Sequence, residues 1–573
     1  MKHYKTYIKK YGIKGFFAIL FLSIEAFCDV LQPTLLAVVI NEGVRYQDLD
    51  KVLKYGAVMI GVALFGAINA TMRNIIASHV SYHFGAELRV DLFSRLLKLS
   101  QKNIDSYDEG SLITRISNDV VQVQHFVQGV MRIFLKAPLI GIGSIVMSIR
   151  LYPAFGYVYA VLLPLIVMAI VMNMNYGYPM FSKIQSALDA LNHRIQSLLA
   201  GIRVVKAFNR FGYEFEQFEK DNVRLTDLSA TTYRTIAVFP PMMTLFVNLA
   251  MVFVLWRGAY WVQIGVLGLG DIMAVIHYLM QFLFALMVLA RVFVMFVRAK
   301  ASSERIVELL LDKPDIDNRK SGVELDIKGA IAFEKVSYSY GKGALALDDI
   351  SFRIEPGEKV GIIGSTGSGK TTLVNLILRH YDTLSGTISI DGQPIKDHQL
   401  MHLRKFIGVV PQKNNLFTGT IMDNIRWGNQ MAGEDEIRLY AQIACADGFI
   451  EGMPGGYDAK IGRGGVNVSG GQKQRLAIAR ALVKKPKILI LDDSTSAIDV
   501  ITENKLKAQL KTTFEKMTTI IVAQRISSVM DLDKIIVLND GKLESMGTHE
   551  ELMGRSTIYT EIYASQLGSE VRR

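Results

Sequence analysis

Residues 359–378 read Lys-Val-Gly-Ile-Ile-Gly-Ser-Thr-Gly-Ser-Gly-Lys-Thr-Thr-Leu-Val-Asn-Leu-Ile-Leu. The first five form a short apolar run, which predicts a buried strand. The next eight match the phosphate-binding pattern Gly-x-x-x-x-Gly-Lys-Ser/Thr in full, and an apolar helical segment follows. The stretch therefore predicts an α/β domain in which a strand, a phosphate-binding loop and a helix follow one another.

The chemistry of this loop suits a nucleoside triphosphate with Mg²⁺. Its glycines let backbone N–H groups surround the phosphates, Lys370 reaches the β and γ oxygens, and Thr371 supplies a hydroxyl to Mg²⁺. The residues predicted to bind ATP here are Gly364, Ser365, Thr366, Gly367, Ser368, Gly369, Lys370, Thr371 and Thr372.

Two further motifs follow along the chain. The apolar run that begins at Lys487 ends in Asp492 and Asp493. Asp492 is placed to hold Mg²⁺ through water, and Asp493 stands where a general base would activate the attacking water. A turn formed by Ser469, Gly470, Gly471 and Gln472 opens a helix, and such a turn presents free N–H groups to an anion.

The composition of the first half indicates a membrane domain. Of the 573 residues, 50% are hydrophobic and 20% are charged, against about 25% charged in soluble proteins. The mean hydropathy is +0.26, which excludes a wholly soluble, disordered or fibrous chain. A bilayer core requires about 20 apolar residues per helix. Six predicted spans meet this length, at Gly15–Ile40, Gly56–His79, Val130–Ile149, Pro153–Tyr176, Ile236–Trp256 and Ile272–Val297.

Charge predicts the orientation of these spans. Eighteen lysines and arginines lie before the first span and in the two long connections, against four in the other connections. Positive charge stays on the cytoplasmic side, so both the N-terminus and the phosphate-binding domain are predicted to be cytoplasmic, at the cell membrane. The +11 net charge is concentrated in the apolar half, so it indicates membrane topology and not nucleic-acid binding. Two distant cysteines form neither a disulfide framework nor a zinc cluster.

The two long inner connections have helical periodicity and are predicted to form cytoplasmic hairpins. Their tips are predicted at residues 107–120 and 208–214, where Gly110 and Gly212 interrupt the pattern. Either these tips contact the domain below, or they are ordinary solvated turns.

Several polar residues lie within the predicted spans. Glu25 and Asp29 share one helix face, and His277 and Gln281 share another. Burial of a charge at this depth is costly, so the acidic pair either attracts a cationic cargo or is paired with a basic neighbour or protonated. Lys136 lies near a span end, where snorkelling suffices for it.

A polar segment with Pro314 separates the two halves. We therefore predict a multidomain chain: an all-α transmembrane domain of six helices with long cytoplasmic extensions at 1–310, a linker at 311–324, and an α/β nucleotide-binding domain at 325–573.

Together these motifs resemble the ATP-binding cassette (ABC) family along the whole chain, in the arrangement of an exporter half-transporter. The resemblance implies a head-to-tail dimer of cassettes, in which each ATP lies between one phosphate loop and the partner chain's Ser-Gly-Gly turn. It further implies that Tyr340 stacks on adenine, that Gln412 senses Mg²⁺ and the hairpin tips, and that residues 496–499 form the D-loop. The implied ligands of Mg²⁺ are Thr371, Gln412 and Asp492.

Two positions depart from the family pattern. The family has glutamate where this chain has Asp493, and histidine where it has Gln524. Aspartate is shorter by one methylene, and glutamine cannot take up a proton as imidazole can. The chain therefore resembles the degenerate-site subunit of heterodimeric bacterial multidrug exporters, with small amphiphilic compounds, cationic ones included, as the expected cargo. Two alternatives stay open: a homodimeric exporter with Asp493 as base, and an ATP-gated membrane regulator that does not pump.

Overall fold

The computed structural model describes residues 4–316, 326–341 and 343–567. The chain divides into two compact units, one made of residues 1–97 and 108–312, the other of residues 98–107 and 313–573. The short segment 98–107 thus groups with the second unit, although the sequence assigned it to the first domain. Most of the predicted linker, 311–324, lies outside the described residues.

The first unit is helical. Its helices are α1 (Lys5–Val38), α2 (Leu49–Lys98), α4 (Glu109–Thr114), α5 (Val120–Gly129), α6 (Lys136–Leu151), α7 (Phe155–Ala200), α8 (Ile202–Ala207), α9 (Phe211–Ile236), α10 (Phe239–Gln263) and α11 (Leu269–Leu311), and the short α3 (Gln101–Asp105) belongs to the second unit. Single π-helical turns follow α1, α4 and α5.

Five helical stretches in the described part of the chain are long and apolar enough to cross a membrane. They are Leu49–Lys98, Glu109–Leu151, Phe155–Ala200, Phe211–Gln263 and Leu269–Leu311. These five correspond to the second to sixth predicted spans. The predicted first span, Gly15–Ile40, coincides with α1 and the π turn after it, but it is not among the five, so its crossing stays a prediction.

Helix α11 is the central packing element of this unit. It contacts α1, α5, α6 and α10, while α7 contacts α9 and α10. The crossing of α11 with α1 requires a glycine, because a Cβ on Gly270 would lie 2.3 Å from the carbonyl oxygen of Ala37. Asn41 fixes the start of α11, since its amide oxygen accepts from Gly270 N at 2.7 Å and its amide nitrogen donates to Asp271. The predicted all-α transmembrane architecture is confirmed.

The helices break at 106–108 and at 208–210, at the start of each predicted tip segment and not at its glycine. Gly110 is inside α4, and Gly212 is the second residue of α9. The break in the first connection is at α3, where Ser100 caps the helix, and Asp108 then caps α4 by accepting from Ser111 N. Capping side chains set the helix ends in the first connection, whereas α8 and α9 meet at residues 208–210 without a side-chain cap. An exposed glycine within a helix costs only about 1 kcal/mol and does not end it.

The second unit is an α/β domain with two main sheets. Its strands are β1 (Ile331–Tyr338), β2 (Leu347–Ile354), β3 (Lys359–Gly364), β4 (Ser385–Ile390), β5 (Gln393–Pro394), β6 (Ile407–Val410), β7 (Gly419–Thr420), β8 (Lys460–Ile461), β9 (Ile488–Asp492), β10 (Thr518–Val522), β11 (Lys534–Asn539) and β12 (Lys542–Gly547). Its other helices are α12 (Lys370–Ile377), α13 (Leu400–Lys405), α14 (Ile421–Arg426), α15 (Glu434–Ile443), α16 (Asp447–Glu451), α17 (Gly470–Leu482), α18 (Val500–Thr513), α19 (His549–Arg555) and α20 (Thr557–Leu567).

The larger sheet positions the nucleotide motifs. Its strand order is β12-β11-β3-β10-β9-β6, and all its pairs are parallel except β11–β12. A smaller antiparallel sheet has the order β2-β1-β4-β5. Because β3, β9 and β10 run parallel, their carboxyl ends meet at one edge, where ligands bind in open α/β sheets.

Candidate functional site

The phosphate-binding loop leaves β3 at Gly364 and enters α12 at Lys370, as the sequence predicts. Gly367 and Gly369 have φ of +85° and +95°, a region that favours glycine. A Cβ on Gly364 would lie 2.1 Å from the carbonyl oxygen of Leu538. The glycines are therefore required both for the backbone conformation and for the close approach of neighbouring chain.

Lys370 is held inside this loop. Its Nζ donates to the carbonyl oxygens of Gly364 (2.9 Å) and Ser365 (2.6 Å) and to the hydroxyl of Ser368 (3.2 Å). Burial lowers the pKa of Lys370, and the nearby carboxylates Asp492 and Asp493 partly oppose that shift. The loop thus keeps a cation at the place where the pattern expects phosphate.

Asp492 is the last residue of β9, whose five residues are all buried, and Asp493 follows it. Asp492 is buried and accepts a hydrogen bond from Thr371 of the phosphate loop. Burial raises the pKa of Asp492; the bond from Thr371 opposes this, and the charge of Asp493 adds to it. Asp493 has a φ of +48°, and its N–H donates to the carbonyl of Val522 at 2.8 Å, which fixes it beside the end of β10.

Two glutamine side chains converge on the carboxylate of Asp493. Gln524 Nε2 donates to Asp493 Oδ2 at 3.0 Å, and Gln412 Nε2 lies 3.5 Å from the same oxygen. The structure thus brings together the predicted base, the residue at the family's histidine position and the predicted Mg²⁺ sensor.

Tyr340 lies beside the helix that follows the phosphate loop. Its hydroxyl is 3.2 Å from Thr372 Oγ1, and its ring is half exposed. The rings of Tyr338 and Tyr381 contact it edge-on, with centroids 5.1 and 5.3 Å away. These two rings pack against the Tyr340 side chain, and about half of that side chain stays accessible to a ligand.

The Ser469–Gln472 turn forms the start of α17. Ser469 Oγ accepts from Gln472 N at 3.3 Å, and Gln472 Oε1 accepts from Ser469 N at 2.8 Å. A Cβ on Gly471 would lie 2.7 Å from the carbonyl oxygen of Ala497, so the turn packs on the predicted D-loop. Ser469 and Gly470 are exposed, so this turn can face a partner molecule.

The side chains and backbone groups around the phosphate loop suit the binding of Mg²⁺ together with ATP. Thr371, Gln412 and Asp492 offer only oxygen ligands, which Mg²⁺ prefers. Gly367 and Gly369 take the positive φ that lets successive backbone N–H groups of such a loop turn toward an anion. These residues would hold the ion and the phosphates.

Helix α3 groups with the nucleotide-binding unit through polar contacts. The hydroxyl of Tyr381 donates to Asp105 Oδ2 at 2.5 Å, and Lys102 pairs with Asp315 at 2.8 Å. Asn103 Nδ2 donates to the carbonyl of Lys313 at 3.1 Å. Because Tyr381 also contacts the ring of Tyr340, one side chain connects α3 with the predicted adenine-stacking residue. Sequence reasoning missed Tyr381 and Asp105, because no motif joins residues 276 positions apart.

The acidic pair of α1 is neutralised within the first unit. Glu25 pairs with Arg73 at 2.7 Å and with Lys136 at 2.5 Å, and Lys136 also pairs with Asp29 at 2.9 Å. The alternative of pairing with basic neighbours is therefore the one the structure shows. Snorkelling was the wrong account of Lys136, because two carboxylates hold its ammonium group.

Of the four predicted pathway residues, Asp29 and Gln281 line one cavity, whereas Glu25 and His277 do not line it. Gln281 Nε2 donates to the carbonyl of Asp29 at 3.1 Å, and Gln281 joins Asp29 and Lys136 in lining a cavity of about 460 Å³. The cavity is completed by Gln32, Ile140, Met280 and Phe284. His277 is exposed and does not line it.

Comparisons with known proteins cover nearly all of this chain. A family model described as ABC transporter transmembrane region matches residues 16–286, and one described as ABC transporter matches residues 347–496. The chain is 38% identical over 567 residues to the uncharacterized ABC transporter ATP-binding protein YfiB of Bacillus subtilis (strain 168), covering 99% of this chain and 98% of that protein. It is 34% identical over 552 residues to the uncharacterized ABC transporter ATP-binding protein Mb1304c of Mycobacterium bovis, covering 95% and 94%.

A solved structure extends this similarity to the three-dimensional fold. The structure of a bacterial Atm1-family ABC exporter with ATP bound superposes with a TM-score of 0.81 and 25% sequence identity. The similarity covers 98% of this chain and 99% of that one, so it includes both units.

Proposed function

The chain belongs to the ABC transporter family as an exporter half-transporter with a multi-pass membrane domain, and we propose that it pairs with a second, different half-transporter to export amphiphilic compounds. ABC exporters work as dimers in a membrane and couple transport to ATPase activity. In the proposed heterodimer, the site that contains Lys370, Asp492 and Asp493 binds ATP and hydrolyses it poorly. The Ser469–Gln472 turn completes the partner's competent site.

The hydrogen bond from Gln524 to Asp493 supports this asymmetry most directly. An imidazole at position 524 would accept a proton during the reaction, whereas a glutamine amide only donates through its nitrogen and accepts through its oxygen. Asp493 is shorter than the glutamate of the family, so its carboxylate extends less far toward an attacking water. Weak general-base catalysis costs about 10²- to 10⁴-fold in rate.

Alternating access is the proposed mechanism. ATP binding brings the two cassettes together, hairpin segments such as α3 transmit closure, and the helical domains open outward. Lys370 and the loop N–H groups bind the phosphates, and Mg²⁺, when bound, neutralises charge on the phosphate oxygens. Gln524 orients Asp493, and the site therefore retains ATP while hydrolysis at the partner's site resets the cycle.

The ATPase rate of this chain purified alone in lipid tests the pairing. Lys370→Ala provides the background, because it removes the phosphate-binding cation. A Mg²⁺-dependent rate no higher than that background is expected, since a competent base would come from another chain. A rate well above background would show that Asp493 suffices and would replace the heterodimer with a homodimer.

The cavity in the first unit supports an amphiphilic cargo. It joins the Asp29–Lys136 pair to the apolar side chains of Ile140, Met280 and Phe284. The cluster of Glu25, Asp29, Arg73 and Lys136 has two charges of each sign, so the acidic pair by itself does not favour a cation. Uptake of matched cationic, neutral and anionic amphiphiles into inverted vesicles tests this. Uptake of none of the three with ATP would contradict the proposed cargo class.

A further inference from the structure

The backbone that carries Gln524 is a short loop between β10 and a 3-10 turn, Ile526–Ser528. Residue 523 is still part of the sheet, because Ala523 N donates to the carbonyl of Ile362 at 3.1 Å. The loop then leaves the sheet, and Gln524 projects its side chain to Asp493. The direction of the Gln524 side chain therefore depends on the contacts that hold the backbone between residues 524 and 526.

The side chain of Gln566, on α20, forms hydrogen bonds on both sides of these peptide groups. Gln566 Nε2 donates to the carbonyl of Gln524 at 2.6 Å, and Gln566 Oε1 accepts from Ile526 N at 2.7 Å. One amide thus satisfies an acceptor and a donor two residues apart. A side-chain amide suits this pair of groups because it carries a donor and an acceptor next to each other.

Helix α20 is a firm support for this contact. Tyr559 is fully buried, its hydroxyl is 2.7 Å from His549 Nδ1, and its N–H donates to Ser556 Oγ at 3.1 Å. Gln566 itself is exposed, so burial alone does not fix its side chain; the two hydrogen bonds do.

Helix α18 holds the following part of the loop. Glu503 accepts from the buried Ser528 hydroxyl at 2.6 Å, and Lys507 donates to the carbonyl of Ser527 at 3.0 Å. These contacts secure residues 527 and 528 but not the carbonyl of Gln524. The contact from Gln566 is therefore not duplicated by this second set.

We propose that Gln566 is a positioning residue of the nucleotide site, which holds the Gln524 peptide so that its side-chain amide stays on Asp493. Helix α20 then controls how long ATP is retained at the site of this chain. The inference rests on the proposed role of Gln524 in that site. It predicts that loosening α20 weakens ATP retention without any change in the phosphate loop.

Hydrogen exchange and nucleotide release, measured on the full-length chain in lipid nanodiscs, test the proposal. Gln566→Ala is expected to speed amide hydrogen exchange in the 524–529 segment. It is also expected to raise the release rate of an N-methylanthraniloyl ATP analogue, bound together with Mg²⁺, by about 2- to 10-fold, which is the factor that one or two net hydrogen bonds provide. Gln566→Glu keeps the acceptor for Ile526 N–H but sets a carboxylate against the Gln524 carbonyl. It is expected to leave exchange at Ile526 slow and still speed release. Ser565→Ala, an exposed neighbour, is the matched control and is expected to match the parent in both measurements.

A double-mutant cycle separates positioning from a general loss of structure. If Gln566 acts through Gln524, then Gln566→Ala in a Gln524→Ala background changes the release rate by less than about twofold. An equal effect in both backgrounds would overturn the proposal, and so would release at the parent rate in Gln566→Ala. If Gln524→Ala alone releases at the parent rate, the assignment of Gln524 to the site fails and the positioning role falls with it; the exchange data still report whether the contact exists.

Discussion

Gln524 Nε2 donates to Asp493 Oδ2 over 3.0 Å, so a residue just beyond β10 orders the carboxylate of the residue that follows β9. Gln412 approaches the same oxygen at 3.5 Å. An amide orders a carboxylate well but has no basic atom that takes up a proton at neutral pH. This arrangement is the basis for the proposal that the site holds its nucleotide and hydrolyses it poorly.

Restoring both family residues is expected to restore hydrolysis. Asp493→Glu combined with Gln524→His should raise the single-turnover hydrolysis rate at this chain's site by about 10²-fold or more. Each change alone should give far less, because groups that act as a unit are not additive. Rapid-quench measurements with ATP below the protein concentration check this, with the pair of changes in Lys370→Ala as control. If the rate factors of the two single changes multiply to the factor of the double change, the two residues act independently and the prediction is contradicted.

Removal of the Tyr381 hydroxyl is expected to weaken the link between α3 and the nucleotide site. Tyr381→Phe loses the hydrogen bond to Asp105 but keeps the ring against Tyr340. Transport per ATP hydrolysed should fall by about 2- to 10-fold, with ATP affinity nearly unchanged. Tyr338→Phe, on the neighbouring ring, is the control. Equal losses in both variants would contradict a specific role for the bond between Tyr381 and Asp105.

Tyr340 is expected to contribute to ATP affinity through its ring. Tyr340→Ala should raise the ATP dissociation constant by about 5- to 100-fold, the range of one lost base–aromatic stack. Tyr340→Phe loses only the contact with Thr372 Oγ1 and should bind nearly as the parent. Equilibrium titration of the full-length chain measures both. Equal weakening by both variants would assign the effect to the hydroxyl.

The pH dependence of Mg²⁺ binding is expected to reflect Asp492. Burial raises the pKa of Asp492, and the charge of Asp493 adds to that shift. Mg²⁺ binds the ionised carboxylate, so affinity is complete above this pKa and is lost as the pH falls through it. The loss should begin at a higher pH than for an ordinary aspartate.

Asp493→Asn checks the cause of this shift. It removes a like charge and should move the acid limb of Mg²⁺-dependent ATP binding to lower pH, whereas Asp493→Glu keeps the charge and should leave the limb in place. An acid limb that stays where it is in Asp493→Asn would exclude the electrostatic contribution.

The buried ion pairs of α1 are expected to matter for stability. Glu25→Gln removes the carboxylate partner of the buried Arg73, which costs about 3–5 kcal/mol. Asp29→Asn should lower the stability less, because the Asp29 side chain is 42% exposed and Lys136 remains paired with Glu25. Thermal unfolding of both variants in detergent gives the comparison. Equal melting temperatures would contradict it.

The predictions that the structure confirms come mainly from motifs whose residues are contiguous in the sequence. The phosphate loop, the β9 carboxylates and the Ser469 turn are contiguous in sequence, and the structure places each on the predicted strand or helix. Neither hairpin break lies at the predicted glycine. In the first connection the break lies at helix ends capped by Ser100 and Asp108, because a cap depends on hydrogen bonds that residue periodicity does not record.

The sequence by itself determined a chain with apolar spans, a nucleotide-binding domain and two departures from the family pattern, at Asp493 and Gln524. Hydrophobicity and motif chemistry are properties of neighbouring residues, which is why the sequence suffices for them. Tertiary structure alone decided the partners of distant side chains. Lys136 meets Glu25 across 111 positions, Tyr381 meets Asp105 across 276, and Gln566 meets Gln524 across 42. Such contacts arise because the folded backbone places complementary donors and acceptors together, and no spacing along the chain encodes them.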